Sequence, residues 1–285
     1  MITDRARLLH QYATSRNLSA RADLHARYNT NPQGWHHWLW QQMRLEPCWT
    51  VLDLGCGPGR LWRNHTPDGS ERSVRLLTDL SRGMVKEAKE TLAPPYRFAV
   101  ADAQSIPFRA HAFDCVTAHH MLYHVPDLHR ACTEIARVLK PEGRLVAATN
   151  GAAHLRELHE LVGAVMARYQ MPIGSFGLDN GRDLLTHYFE EVTVRRYEDA
   201  LVVPDPWALS GYVRSMPGLP DASEQELREL DHAIASRIRD RGTMRIRKEA
   251  GVLVARVRKP RDRADEPAAG ASGPWAHLNM SPWDR

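Results

Sequence analysis

Val51-Leu-Asp-Leu-Gly-Cys-Gly-Pro-Gly-Arg60 decides how the rest of this chain is read. An apolar strand pattern runs without a break into glycines at alternate positions, Gly55, Gly57 and Gly59. A glycine-rich turn between a strand and a helix lets a ligand approach bare backbone, and the helix start supplies unpaired N–H groups and positive potential. The dinucleotide fingerprint G-x-G-x-x-G would need glycine at position 60, where the chain has Arg60. What stands here is G-x-G-x-G, preceded by Asp53.

Outward from this turn, short apolar runs alternate with amphipathic stretches. The runs are Thr50–Leu54, Val74–Asp79, Tyr96–Val100, Phe113–Ala118 and Arg144–Thr149. The clearest helices between them are Ser81–Leu92 and Asp127–Leu139. In the second, Leu128, Ala131, Cys132, Ile135 and Leu139 recur at helical spacing behind Asp127 as N-cap. Such alternation predicts an α/β fold with a doubly wound, mostly parallel sheet and right-handed crossovers. The strand ends then matter, because open α/β sheets bind ligands at their carboxyl edge. The second run ends in Asp79, placed to accept hydrogen bonds from ribose hydroxyls. The third leads to Asp102, placed to accept from an adenine amino group. The fourth ends at His119-His120.

These segments, VLDLGCGPGRLW, LLTDLSRGMV, VADAQSIPF, FDCVTAHHMLYHVPD and RVLKPEGRLVAAT, resemble in order and spacing the core of the class I S-adenosylmethionine-dependent methyltransferases, the ubiquinone/menaquinone-biosynthesis-like group. The resemblance covers residues 50–149. It implies a seven-stranded Rossmann-like sheet with a final antiparallel strand near Val252–Val257, and S-adenosylmethionine as cofactor. It also implies that Gly55, Gly57, Asp79, Leu80, Asp102 and Ala103 line the cofactor site. Asp53, which precedes the glycines, is counted with them, and His119, next to the end of its strand, is close enough to the sulfonium for backbone contact. The chain departs from the common pattern in its aromatic N-terminal segment and in the long stretch before the last strand, where such enzymes build their substrate pockets.

His119-His-Met-Leu-Tyr-His124 places three imidazoles and a phenol at the ligand end of a strand. Imidazole titrates near working pH, so His120 and His124 are the candidate general bases, beside a competing reading in which the rings pack or touch the cofactor. Tyr28 and Trp35 are candidates to cover the sulfonium, where an aromatic face gains cation–π attraction. Domain boundaries are expected at residues 1–45 for a helical N-terminal cap, 46–200 for the core, 201–242 for a helical lid, and 243–260 for a terminal hairpin (Thr243–Val257) flanking Lys248-Glu-Ala-Gly251. Residues 261–285, of linker composition, are expected to pack poorly.

The 285 residues, 43% hydrophobic and 25% charged, suit one globular unit with an insertion. With no membrane-length apolar run and no signal-like start, a cytoplasmic protein with no membrane partner is expected. The cysteines, Cys48, Cys56, Cys115 and Cys132, form no C-x-x-C pair, so no metal site is expected. The net charge of +4 does not call for nucleic acid, and the basic stretch Arg237–Lys248 reads as a solvated face. The expected partner is a small-molecule acceptor, methylated on oxygen, nitrogen or carbon by a monomer or homodimer. An RNA methyltransferase, a nicotinamide dehydrogenase and a cyclase holding the cofactor without methyl transfer are the alternatives.

Overall fold

A computed structural model describes residues 4–63, 74–171, 174–216, 219 and 222–257. The tail expected at 261–285, with Trp275 and Trp283, lies outside them. Seven strands form one sheet: β1 (Thr50–Leu54), β2 (Val74–Asp79), β3 (Tyr96–Val100), β4 (Phe113–His119), β5 (Leu139–Asn150), β6 (Glu191–Val203) and β7 (Met244–Arg256). Their order is β3-β2-β1-β4-β5-β7-β6. The first five pair in parallel, and β7 runs antiparallel to both neighbours. The winding reverses between β1 and β4, the switch point at which such sheets open a crevice.

Ten α-helices accompany the sheet among the described residues: α1 (Arg5–Gln11), α2 (Arg16–Tyr28), α3 (Trp35–Met43), α4 (Arg60–Arg63), α5 (Arg82–Thr91), α6 (Leu128–Val138), α7 (Arg156–Val165), α8 (Gly181–Thr186), α9 (Pro206–Arg214) and α10 (Glu224–Arg241). Their starts follow local chemistry. Asp127 accepts from Arg130 N at 2.9 Å to cap α6, and Ser223 and Glu226 form a capping box on α10. The helical period predicted for α6 buries Leu128, Ala131, Cys132, Ile135 and Val138. Burial of a Leu, Ile or Val side chain of this kind is worth about 1.5–3 kcal/mol.

Alternation along the strands divides the core between two faces. Leu52, Leu76, Val116, Leu145 and Leu253 pack on one face with Leu128 and Ile135 of α6 and Leu185 of α8. Val51, Leu77, Cys115, Val146 and Val252 pack on the other with Leu39 and Met43 of α3 and Trp62 of α4.

The sequence between 243 and 257 is not the hairpin its pattern suggested. It is one continuous strand, β7, paired with β6 from Met244 opposite Val203 to Arg256 opposite Glu191. Gly251, taken as part of a turn, answers a close approach instead: a Cβ there would lie 2.3 Å from the Arg195 carbonyl oxygen on β6. β5 pairs with β7 only over 250–256, so the first half of β7 and the second half of β6 form a two-stranded arm beyond the sheet. α2, α7, α9 and α10 pack against this arm through a separate cluster that includes Leu24, Leu158, Leu201, Tyr212, Ile234 and Ile246.

This close approach makes Gly251→Ala a test of the arm. It should destabilise the chain by about 1–3 kcal/mol through forced separation of β6 and β7. Urea unfolding measures this, and wild-type stability would contradict the spacing.

Candidate active site

The glycine turn leaves β1 with three positive φ angles, 72° at Gly55, 55° at Gly57 and 74° at Gly59, a region that glycine enters without steric cost. Two carboxylates hold it. Asp53, buried on β1, accepts from Trp62 Nε1 and Thr117 Oγ1, both at 2.7 Å, and so ties α4 and β4 to the strand beneath the turn. Burial pushes its carboxyl up to about 7, against the lowering effect of these two hydrogen bonds. Asp79, at the end of β2, accepts from Gly57 N at 3.0 Å and Ser81 N at 2.8 Å. Burial raises this carboxyl too, while the N–H groups of Ser81, Gly57 and Leu80 oppose the rise.

A cavity of about 830 Å³ lies over this edge of the sheet. Asp53, Gly55, Gly57, Asp79, Leu80, Asp102, Ala103, His119, His120 and His124, all singled out from sequence, line it. Tyr28 does not. It packs instead against the Leu24–Leu201 cluster, because α2 turns that face towards the arm. Another tyrosine is present: Tyr12, between α1 and α2, lines the cavity, and its hydroxyl lies 3.1 Å from His124 Nε2. The carbonyl of Tyr12 accepts from Ser81 Oγ at 2.9 Å, and Arg5 of α1 pairs with Asp102 at 3.1 Å. The N-terminal segment thus reaches across the crevice to the tips of β2 and β3.

The histidines differ in their surroundings. His119 Nε2 is buried with no hydrogen-bond partner among the described residues. His120 has a φ of 54°, a strained backbone for a residue with a Cβ, and its N–H donates to Ala148 O at 2.8 Å. Its ring meets Trp35 at 5.3 Å between centroids. Burial, then neighbouring His36 and Lys248, lowers the His120 ring to about 4. Burial, followed by His120 and His36, takes His119 to about 3. Both rings are neutral at pH 7. Residues without a local motif complete the wall: His25 from α2, His154 between β5 and α7, Tyr212 from α9 and Lys248 from β7. The signal for Lys248 lay in the alternation of β7, where it shares a face with Met244, Ile246 and Ala250 while Arg245 and Arg247 are exposed. Among the described residues no three His, Cys, Asp or Glu side chains are grouped to hold a metal ion.

A family model described as a methyltransferase domain matches residues 52–147. The malonyl-[acyl-carrier protein] O-methyltransferase of Salmonella typhimurium is 32% identical over 190 residues, covering 67% of this chain and 72% of that protein. The chain belongs to the class I S-adenosylmethionine-dependent methyltransferases. The demethylmenaquinone methyltransferase of Desulfitobacterium hafniense is 33% identical over 119 residues, 40% of this chain. The match spans about half of that relative, 47% of its length. A solved phosphoethanolamine N-methyltransferase 2 of Haemonchus contortus, in complex with S-adenosyl-L-methionine, shares the fold. Its TM-score is 0.55 at 18% identity, covering 91% of this chain and 61% of that one. Family membership implies S-adenosylmethionine as the ligand, and the cradle suits it. The position a Cβ would take at Gly57 is open, with Leu18 the nearest side chain at 3.7 Å. Asp53, Asp79 and Asp102 line the same cavity as His119, whose buried Nε2 has no hydrogen-bond partner among the described residues.

The raised Asp53 carboxyl makes stability depend on pH with a definite sign. An acid whose folded value lies above its ordinary one stabilises fully below the ordinary value and loses that contribution as pH rises through the folded one. Asp53→Asn carries no charge, and its amide can accept from Trp62 Nε1 while donating to Thr117 Oγ1. Its stability relative to wild type should therefore grow as pH rises from 3.8 to about 7 and level off above. Parallel unfolding curves for the two proteins across that window would contradict a buried, proton-holding Asp53.

Proposed function

We propose that the protein transfers the methyl group of S-adenosylmethionine to a small-molecule acceptor held between the carboxyl edge of the sheet and the helices above it. The observation that carries this reading is one continuous cavity lined both by the glycine turn with Asp79 and Asp102 and by the histidine-rich wall. Asp79 would accept from the ribose hydroxyls while keeping Gly57 in place. Asp102 and Ala103 would meet the adenine, and Gly55 and Gly57 the amino-acid part. Asp53 would act from below by fixing the turn, and His119 would offer its unpartnered Nε2 to the bound cofactor. Entry of adenine beside Asp102 requires Arg5 to release or share that carboxylate.

When bound, S-adenosylmethionine supplies an electrophilic sulfonium methyl. The protein's residues then have to hold the acceptor in line and keep water out, effects that together can supply about 7–11 kcal/mol of barrier lowering. Residues 1–45 and 201–242 would form the two covers and 46–200 the core, with β7 closing the sheet. His120, turned out of the strand by its positive φ, is the candidate base for an acidic acceptor. His124, tied to Tyr12, would hold the N-terminal cover and position the loop. An imidazole lowered to about 4 takes up a proton poorly, so a base role for His120 needs the acceptor to restore its basicity.

Two variants separate these roles. Asp79→Ala should weaken S-adenosylmethionine binding in calorimetry by about tenfold or more, as charge-assisted hydrogen bonds are lost. His120→Ala should leave that affinity near wild type and lower kcat by about 10²–10⁴-fold if it is the base. Wild-type cofactor affinity in Asp79→Ala would mean that the cradle is misplaced. Unchanged turnover in His120→Ala would leave orientation alone to carry the reaction.

A further inference from the structure

Lys248 and three histidines converge on the β5–β7 side of the cavity, away from the tips of β2 and β3. His25, His120, His154 and Lys248 all line it. The rings of His25 and His154 stack with centroids 6.4 Å apart, and Tyr212 stands edge-on to His25 at 5.6 Å. The acids in the wall are Asp53, Asp79 and Asp102, which sit on β1, at the end of β2 and just after β3. Among the described residues no carboxylate lines the side where the lysine and these histidines meet.

The lysine is held by an ion pair that is itself well supported. Lys248 is 7% exposed and pairs with Asp199, which is 0% exposed. Oδ1 of Asp199 accepts from Thr30 N, Asn31 N, Ala200 N and Thr30 Oγ1 at 2.9, 2.9, 2.8 and 3.1 Å, which leaves Oδ2 to Lys248. Burial works to raise the Asp199 carboxyl, but Lys248 and the N–H groups of Asn31 and Ala200 outweigh it and hold it below its ordinary value. Four donors besides the lysine thus stabilise the carboxylate. Of the three Nζ–H donors that a lysine carries, Asp199 takes one.

The histidines are neutral. Burial, then Lys248, lowers His25 to about 3, and burial, then His25, His120 and Lys248, holds His154 well below its ordinary value. Glu249 N–H donates to His154 Nδ1 at 3.2 Å, and Gly151 N–H already donates to Glu249 O at 2.9 Å. His154 Nδ1 also lies 3.1 Å from Glu249 O, so the ring is held to the Glu249 backbone whichever nitrogen carries the proton. The chamber therefore offers a buried lysine beside neutral imidazoles, while the lysine's partner carboxylate, Asp199, does not line the cavity. A protonated amine would add a second cation beside the Lys248–Asp199 pair and find no carboxylate in this part of the wall, whereas an anionic oxygen could share the lysine's N–H donors in a medium of low dielectric.

We propose that this chamber binds an anionic oxygen of the acceptor, a carboxylate or a phenolate, and discriminates against amines. The proposal rests on the methyl-transfer reading, since it names the acceptor's side of that cavity. An anion bound beside Lys248 also offsets one of the charges that lower the His120 ring, after burial and His36.

Calorimetry on the protein loaded with S-adenosylhomocysteine tests it, with benzoate, 4-nitrophenolate and benzylamine as probes. The carboxylate, the phenolate or both should bind while benzylamine does not, and the one that binds identifies the source of the oxygen. Lys248→Met combined with Asp199→Asn removes both charges of the pair, and the Asn oxygen keeps the backbone donors. This double variant should bind S-adenosylhomocysteine normally and lose about tenfold or more in affinity for the anion. Asp199→Asn alone keeps the lysine and should retain or tighten anion binding. If the double variant fails to bind S-adenosylhomocysteine, the single variant decides, and a tenfold loss there overturns the proposal. Benzylamine binding as well as the anions, absence of binding by both anions, or an unchanged anion affinity in the folded double variant would also overturn it. Failure of the wild-type protein to bind S-adenosylhomocysteine would instead remove the methyltransferase reading beneath it.

Discussion

Asp79 joins two loops that come from different strands. Its oxygens take the N–H of Gly57, in the turn after β1, and of Ser81, in the turn after β2. That bridge acts together with the Cys56 N–H, which donates to Thr78 O at 2.9 Å, to set the separation of the two turns and the floor of the crevice between them. Asp53 repeats the device one layer down, where Trp62 and Thr117 bind its two oxygens. A buried carboxylate is costly unless its hydrogen bonds are made, and here they are made by the groups that need positioning. The positive φ angles of Gly55, Gly57 and Gly59 complete the constraint, because the turn approaches Met121 and Leu92 too closely at Gly55 and Gly59 for any side chain.

Charge is divided along the cavity in the same way. Carboxylates line the edge formed by β1 to β3, where a cationic sulfonium cofactor is expected, and the side towards β5 and β7 holds Lys248 among neutral imidazoles. The helices above are anchored to both ends. Tyr12 reaches Ser81 and His124, Arg5 reaches Asp102, and α2 and α9 bring His25 and Tyr212 against His154 and the arm. The N-terminal helices, α9 and the strand-end histidines are therefore one packed assembly around the cavity.

The core strands were legible because each is short, apolar and bounded by a functional turn. Thr50–Leu54, Val74–Asp79 and Tyr96–Val100 match their predicted ends, since the motif residues are themselves the strand ends. The Asp127 N-cap and the helix start at Ser81 were legible for the same reason, and Ser81 proves to be the cap itself. Length beyond the sheet was not. β6 and β7 extend into an arm whose partners are each other, the adjoining helices α9 and α10, and the more distant α2 and α7, and Gly251 reads as a turn unless the neighbouring strand is known. Tyr28 and Tyr12 are both aromatic residues at the ends of short helical stretches, and only packing decides which one turns inward. His25, His154 and Lys248 come from three segments without a shared motif. Of these, Lys248 alone carried a local sign, a lysine on the apolar face of an alternating strand.

A crystal structure of the protein with S-adenosylhomocysteine and benzoate measures the division of the cavity most directly. The ribose hydroxyls are expected on the Asp79 carboxylate, the adenine beside Asp102 with Arg5 displaced or shared, the sulfur facing His120, and the benzoate carboxylate against Lys248. Density for the cofactor product outside the glycine turn, or the carboxylate bound away from Lys248 with the Lys248–Asp199 pair undisturbed, would contradict it.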